Sequence, residues 1–433
     1  MCVDSIVSRS GLTVARVAGI CALLAELSFS LGIVSASDWP QILGPNRNGA
    51  VEEVLHQTWG KNGPAVLWKS EVGNGFAGVA VVDDRAIAFV REEDAEIVRC
   101  CSVTTGKVIW ESGSPCSYQG GVSGDKGPRC VPLISDDRVF TFGVEGTLRC
   151  LSLSDGKELW NRNTTKDFKP LEGYFGVGST PVLYKDRLIV NVGGRDKASV
   201  VAFDVADGKT LWNTFTDAAS YSSPVIVTVD KTDLAVVVTR LHVVGIDPIS
   251  GELKFTILFG ARGPTVNGAT PVVIGNQIFL SASYNIGSLL IETNPSGARE
   301  VWRNENLLAT QYATPVPMAE GSSILFAIDG RQDAGSQSSS LKCIDVSSQK
   351  VLWEESGFDY GSLIRVKNDL LILTCGGELI RAAASKEKYQ ELSRSLVLKP
   401  TSSGYRLPAL SNGRLFIRDE STLKCLDVGV ASK

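Results

Sequence analysis

The segment SVTTGKVIW, residues 102–110, decides the fold, because the chain repeats it. It returns as SLSDGKELW ending at Trp160, DVADGKTLW at Trp212, DPISGELKF at Phe255, NPSGAREVW at Trp302 and DVSSQKVLW at Trp353. The intervals between these aromatics are 50, 52, 43, 47 and 51 residues. A period of this size with several strands per unit is the signature of a β-propeller. Each copy reads as a short strand, a turn and a strand ending on an aromatic ring. The Gly of TTGK, SDGK, ADGK and ISGE meets a turn's need for positive φ, which costs other residues energy. The ring predicts docking between neighbouring blades, with about 150–250 Å² buried for each.

Each unit also begins alike. AGVAVVDDRAIAFV, CVPLISDDRVFTFG, STPVLYKDRLIVNV and SSPVIVTVDKTDLAVVV are followed by ATPVVIGNQIFLSA, ATPVPMAEGSSILFAI, GSLIRVKNDLLILT and LPALSNGRLFIRD. Each is an apolar strand, a polar turn and a second apolar strand, hence a hairpin. Eight such starts predict an all-β, eight-bladed propeller with four-stranded blades. The last unit stops at Cys425-Leu-Asp427, short of its aromatic strand, while Ala65-Val-Leu-Trp68-Lys69 near the start has no blade of its own. That strand is expected to join the C-terminal blade and close the ring, which removes two open sheet edges. Trp68, Trp110, Trp160, Trp212, Phe255, Trp302 and Trp353 are thus structural. Blade seven departs from the pattern: SKEKYQELSR lacks Trp and has helical spacing, predicting a short helix or an irregular excursion on the rim. With 43 Gly, 21% charged residues and a net charge of −4, the composition excludes disorder and a basic nucleic-acid footprint. Only two His exclude most His-rich metal sites.

Residues 1–36 read as a secretory signal peptide. Arg9 and Arg16 precede an apolar run from Val17 to Val34, and the small residues Ser35, Ala36 and Ser37 follow, placing cleavage after Ala36. An uncleaved anchor is the alternative, but Glu26 and several Ser and Gly make the run polar for a permanent span. Ile20 stands where lipid attachment at Cys21 would want a small residue. Residues 37–64 form a leader and residues 65–433 the propeller. The mature chain is expected to be a periplasmic or extracellular monomer with no further membrane span.

The repeat ending, Gly-x-x-x-Trp with an acidic or small residue eight before the Trp, resembles the pyrroloquinoline-quinone (PQQ) repeat propellers. That family includes quinoprotein alcohol dehydrogenases and the propeller of the outer-membrane protein assembly machinery. Asp38-Trp-Pro-Gln-Ile-Leu-Gly-Pro-Asn-Arg-Asn-Gly49 resembles the leader of its exported bacterial members. The dehydrogenase resemblance implies calcium held by Glu, Asn and Asp, an Asp base, an Arg near the quinone and a vicinal disulfide. Cys100-Cys101 invites that reading, but its register does not. Ten residues before the repeat aromatics stand Cys100, Cys150, Ala202, Gly245, Glu292 and Cys343, with Cys425 matching in blade eight. The position is mostly small, and side chains alternate along a strand, so Cys100 and Cys101 face opposite ways. Cys116 and Cys130, in the long connection after the first blade, are the best disulfide candidates. A loop of about 15 residues would gain about 3 kcal/mol from closure.

The segments leading into the innermost strands line one end of the channel. They carry Phe76, Tyr118, Tyr174, Phe175, Tyr221, Tyr312, Tyr360 and Tyr405, with Ser179, Thr180, Ser222, Asn267, Thr270, Thr314 and Arg406 nearby. Rings at a repeated register pack between blades or cap a channel. Tyr also suits a binding surface, offering apolar area with a polar tip. Loops between second and third strands add Arg195-Asp196, Tyr284-Asn285 and Arg331-Gln332-Asp333. The candidate partner-binding set is Tyr174, Tyr221, Asn267, Tyr312, Tyr360, Tyr405, Arg406, Arg195 and Arg331. His242, in an apolar run, reads as a satisfied core residue, and Asp329-Gly-Arg-Gln-Asp333 as a solvated turn. No catalytic or metal-binding residue is assigned. The expected function is an exported, non-catalytic scaffold that binds a protein or extracellular ligand through one face. The alternative is a PQQ-dependent dehydrogenase binding quinone and calcium at the channel mouth.

Overall fold

Branched and aromatic runs such as Arg85–Glu92 and Ala198–Asp204 pair as strands because both faces of each sheet are covered by neighbouring sheets. The computed structural model describes residues 38–121, 126–170, 173, 175–263, 265–335, 337–400 and 406–430. The signal-peptide reading lies outside these residues. Eight antiparallel sheets stand in a ring as the blades of a propeller. Blades one to six span 79–115, 133–163, 182–214, 225–258, 272–304 and 316–358, and blade seven spans 361–396. Blade eight takes three strands from 409–427 and its outermost strand from Ala65–Glu71. Trp68 lies opposite Cys425 there, so the ring closes as expected. Among the described residues, helix is confined to Thr164–Phe168 and one 3-10 turn, Gln332–Ala334, and no helix is long and apolar enough to cross a membrane.

The repeated motif is a joint between blades. Five indoles on outermost strands reach the next blade. Nε1 of Trp68 donates to the Val103 carbonyl (2.8 Å), Trp110 to Leu153 (2.9 Å), Trp160 to Val205 (2.9 Å), Trp212 to Pro248 (3.2 Å) and Trp353 to Ser385 (2.8 Å). The motif Gly receives the arriving ring. A Cβ on Gly106 would stand 2.5 Å from Trp68, and one on Gly251 would stand 2.7 Å from Trp212. Both have positive φ, +70° and +76°. The Gly therefore serves two needs at once: a left-handed turn and room for the ring of the preceding blade. The small position on the third strand has a similar cause, since Cys100, Cys150, Ala202, Gly245 and Cys343 lie directly opposite the aromatic of their own blade.

Three expectations change. In blade five Trp302 faces Leu290 instead of Glu292, because the hairpin through Asn294 and Gly297 makes the connection two residues longer. Its indole N–H finds no acceptor, and blade six carries Gln349, not Gly, at the receiving turn. In blade seven SKEKYQELSR forms no helix: 385–390 are the irregular excursion, and a strand follows it. Glu391–Leu396 is the outermost strand, paired with Glu378–Ala383, and Arg394 bridges Glu378 and Glu391 across the edge. Tyr389 supplies the ring that Trp353 packs against, 6.0 Å away. Finally, Cys116 and Cys130 stand as separate, buried thiols. The Cys116 amide is tied to the Asp94 carbonyl, while the Cys130 thiol donates to the Val131 carbonyl inside the ring.

Candidate binding surface at the channel mouth

The lead-in segments are first a set of stitches. The Val131 amide donates to Thr180 Oγ1 (3.0 Å), the Thr180 amide to Ser223 Oγ (2.9 Å) and the Thr270 amide to Thr314 Oγ1 (2.9 Å). Ser222 Oγ donates to the Ala269 carbonyl (2.8 Å). Short hydroxyl side chains thus satisfy buried backbone groups of an adjacent blade, as a packed interior requires. Asn267 belongs to this set: it is buried, its side-chain Nδ2 donates to the Arg240 carbonyl (3.2 Å), and its backbone carbonyl accepts from the Tyr221 amide (3.0 Å).

The rings divide into supports and surface. Tyr360 is buried, and its hydroxyl accepts from the amides of Tyr312 (2.9 Å) and Ala313 (3.0 Å). Burial pushes this phenol up to about 12, so it holds its proton. Tyr312 stands edge-on against it at 4.9 Å and stays partly exposed, its hydroxyl donating to Gln332 Oε1 (3.2 Å). The amide of Gln311 joins the Tyr284 hydroxyl (2.7 Å), and its oxygen accepts from the Gln332 backbone (3.0 Å). Arg331 lies over the Tyr284 ring at 4.8 Å and pairs with Asp333 (3.3 Å). Blades five and six therefore present one connected, half-exposed patch of Tyr284, Tyr312, Arg331, Gln332 and Asp333. The sequence pointed to Gln332 only as part of its loop, outside the candidate set, and did not point to Gln311. Their one signal is position: two Gln flank the Tyr and Arg already singled out.

Elsewhere the candidates separate. Tyr221 is half-buried; its hydroxyl accepts from the Phe175 amide (2.9 Å) and its ring meets Phe175 edge-on. Arg406 is only 1% exposed, donating from Nε to the Gly75 carbonyl (2.8 Å) beneath the Phe76 ring. Arg129 covers the other contacts of that cluster, over both Phe76 and Phe175. Arg195 is exposed on blade three and does not meet Arg331 on blade six. Tyr174 and Tyr405 lie outside the described residues. His242 pairs with Asp217 (2.9 Å) and His56 with Asp427 (2.7 Å), both as local ties.

The opposite end of the channel is occupied by the leader. Ala50–Val51 adds a parallel strand to the innermost strand of blade seven, and Trp39 bridges to Val81 in blade one. The Glu53 carboxylate accepts from the amides of Asn412 (3.0 Å) and Gly413 (2.6 Å) at a hairpin turn of blade eight. These hairpin turns lie at the far end of the innermost strands from the lead-in segments. Across the axis, the leader leaves a cavity of about 670 Å³ against blades two to six.

Among the described residues, no three His, Cys, Asp or Glu side chains form a group able to hold a metal ion. Cys100 and Cys101 are both buried in the third strand of blade one, and burial pushes their thiols up to about 12 and 11. They sit inside a blade, away from the mouth.

The family profile described as outer membrane protein assembly factor BamB matches residues 60–167 and 94–355. A protein of that name from Moranella endobia is 23% identical over 65% of this chain and 70% of its own length. The quinohemoprotein alcohol dehydrogenase of Comamonas testosteroni is 25% identical over 43% of this chain, which spans about a quarter of that relative (27%). Its crystal structure superposes with a TM-score of 0.63 at 13% identity, covering 92% of this chain and 81% of that one. The BamB structure from Moraxella catarrhalis gives 0.57 at 15% identity, covering 83% and 96%. At these identities the structural likeness speaks for the fold alone.

Proposed function

The chain belongs to the family described as outer membrane protein assembly factor BamB, and from that premise we propose that it is an exported, non-catalytic propeller that binds a protein partner at the channel mouth, over blades five and six. One observation carries this reading. Tyr312 is held edge-on by a buried Tyr360 that also fixes its backbone amide, yet its ring remains partly exposed beside Arg331. Tyr and Arg are the residue types that dominate protein interfaces, and rigid support lowers the entropy cost of binding. The BamB likeness supports a scaffold role in the cell envelope.

Photocrosslinking tests the site. A photoreactive residue at position 312 or 331 of the exported full chain is expected to give a discrete adduct in the envelope. The same residue at Leu396, on the outer rim of blade seven, is expected to give none. Tyr360→Phe keeps the ring but removes the acceptor for two amides, and should lower the yield at position 312 severalfold. Equal labelling at all three positions, or none at 312 and 331, refutes the site. A parallel reconstitution with PQQ and calcium decides the alternative: quinone absorbance with dye reduction would replace the scaffold reading by a dehydrogenase one.

A further inference from the structure

The leader closes one end of the ring, and the cavity it leaves there is built from two unlike walls. On the ring side Leu183, Ile226 and Val273 occupy the same register of three successive innermost strands. Each is only partly buried, while the residues before them are buried. On the leader side stand Gln41, Arg47 and Asn48. The volume of about 670 Å³ is in the range of small-molecule sites, which pair an apolar lining with a few polar groups.

Arg47 is the unusual member. It is 7% exposed, and it donates to Gln41 Oε1 (2.7 Å) and to the carbonyls of Pro181 (3.0 Å) and Thr180 (3.0 Å), all neutral acceptors. Among the described residues its Nε finds no acceptor and no carboxylate lies within ion-pair distance of it. Burial without a counter-charge pushes the guanidinium down to about 9. Arg365, also buried, ties the leader to the ring on the other side and shows the usual solution. It donates to the Pro317 carbonyl (3.0 Å) and pairs with the Glu52 carboxylate (2.7 Å). Buried charges are normally paired in this way. Glu320 also lines the cavity, but it is exposed. Repulsion by Glu320 favours an anion's charge on the leader side.

We propose that this cavity binds a small organic anion with an apolar body, its carboxylate set on the leader side against Arg47 and its body against Leu183, Ile226 and Val273. The cavity adjoins the leader at the other end of the channel, and Arg47 reaches along it to the carbonyls of Thr180 and Pro181, where the innermost strand of blade three begins.

Calorimetric titration of the mature chain with octanoate and with its neutral amide, octanamide, tests the assignment. Octanoate is expected to saturate a single site, and octanamide to bind about tenfold or more weaker, the usual margin for a hydrogen bond to a charged group. Arg47→Gln should erase that preference. Because Arg47 also holds Thr180 and Pro181, a second variant guards against misfolding. Ile226→Trp fills the cavity from the ring wall and leaves every Arg47 bond intact; it should abolish binding of both probes with the circular dichroism unchanged. No saturable octanoate binding, equal affinity for the amide, or an Ile226→Trp variant that binds like the parent would each overturn the proposal.

Discussion

Replacing Gly106 by Ala tests whether the motif glycine is kept for its turn or for the ring it receives. Two costs are expected. The first is conformational: φ is +70°, and a left-handed residue with a Cβ costs about 1 kcal/mol. The second is steric: the new Cβ would stand 2.5 Å from Cε3 of Trp68, and that ring is held by its bond to Val103. Overpacking of this kind costs about 1–3 kcal/mol. Gly275 supplies the control, with φ of +62° and nothing within 4 Å of its Cβ position. Gly275→Ala should therefore lose about 1 kcal/mol and Gly106→Ala about 2–4 kcal/mol. Urea denaturation followed by tryptophan fluorescence reads both. A cycle with Trp68→Ala isolates the steric part: once the ring is gone, Gly106→Ala should cost no more than Gly275→Ala. If the two glycine variants agree within about 0.5 kcal/mol in the intact protein, the reasoning that the Gly is a socket for the ring fails.

Glu96 gives a pH signature. It is 3% exposed, accepts from the Val144 amide (2.9 Å), and burial raises its carboxyl from 4.5 to about 7. The folded state therefore holds a proton that the unfolded state releases. The contribution is complete below pH 4.5 and is lost as pH rises through about 7, on the order of 3 kcal/mol in all. Melting temperatures from about pH 5 to 8 should fall more steeply in the parent than in Glu96→Gln; parallel profiles would discount the buried carboxyl. Thiol titration of unreduced, denatured protein spanning residues 37–433 should find eight reactive thiols, matching the free cysteines. Six would restore a bridge, with Cys116 and Cys130 the pair to examine first.

The ring was legible because its joints repeat in register. Gly106, Gly156, Gly208 and Gly251 recur at a fixed distance from Trp110, Trp160, Trp212 and Phe255, and physical need for a turn and a socket imposes that spacing. Legibility ended where a unit breaks the spacing. Blade five slips by two residues at Asn294–Gly297, and nothing in NPSGAREVW sets the hairpin length. Blade seven misled because Glu and Lys at helical spacing also suit an exposed outer strand, and pairing with Glu378–Ala383 overrides local propensity. The mouth was half legible. Its Tyr and Arg residues stand out by type, but whether Tyr360 supports or Tyr312 presents depends on a hydroxyl reaching backbone amides nearly a repeat away. The leader's Arg47 was not legible as a site residue, since its partners Thr180 and Pro181 are 133 and 134 residues distant.

The leader also explains how a ring of similar blades acquires a defined beginning and end. Two of its segments act at different radii. Ala65–Glu71 completes the outer edge of blade eight, and Ala50–Val51 completes the inner edge of blade seven. Between them, Leu55 bridges to Gly429 and Glu53 caps the turn at Asn412 and Gly413. Both contacts join the first and last parts of the ring, the longest loops it closes. Loop-closure entropy grows only slowly with length, so closing the whole ring costs little more than closing one blade. What closure gains is large by comparison: a fourth strand for blade eight, a socketed Trp68, and a bond from Arg99 to the Glu71 carbonyl (3.1 Å) that ties blade one to the joined strand. Docking the leader inside the channel then follows from the same closure. Residues 50 and 65 are held at the inner and outer edges of adjacent blades, so the segment between them must cross the end of the ring. The cavity beside Arg47 lies away from that crossing, between residues 40–48 of the leader and blades two to six.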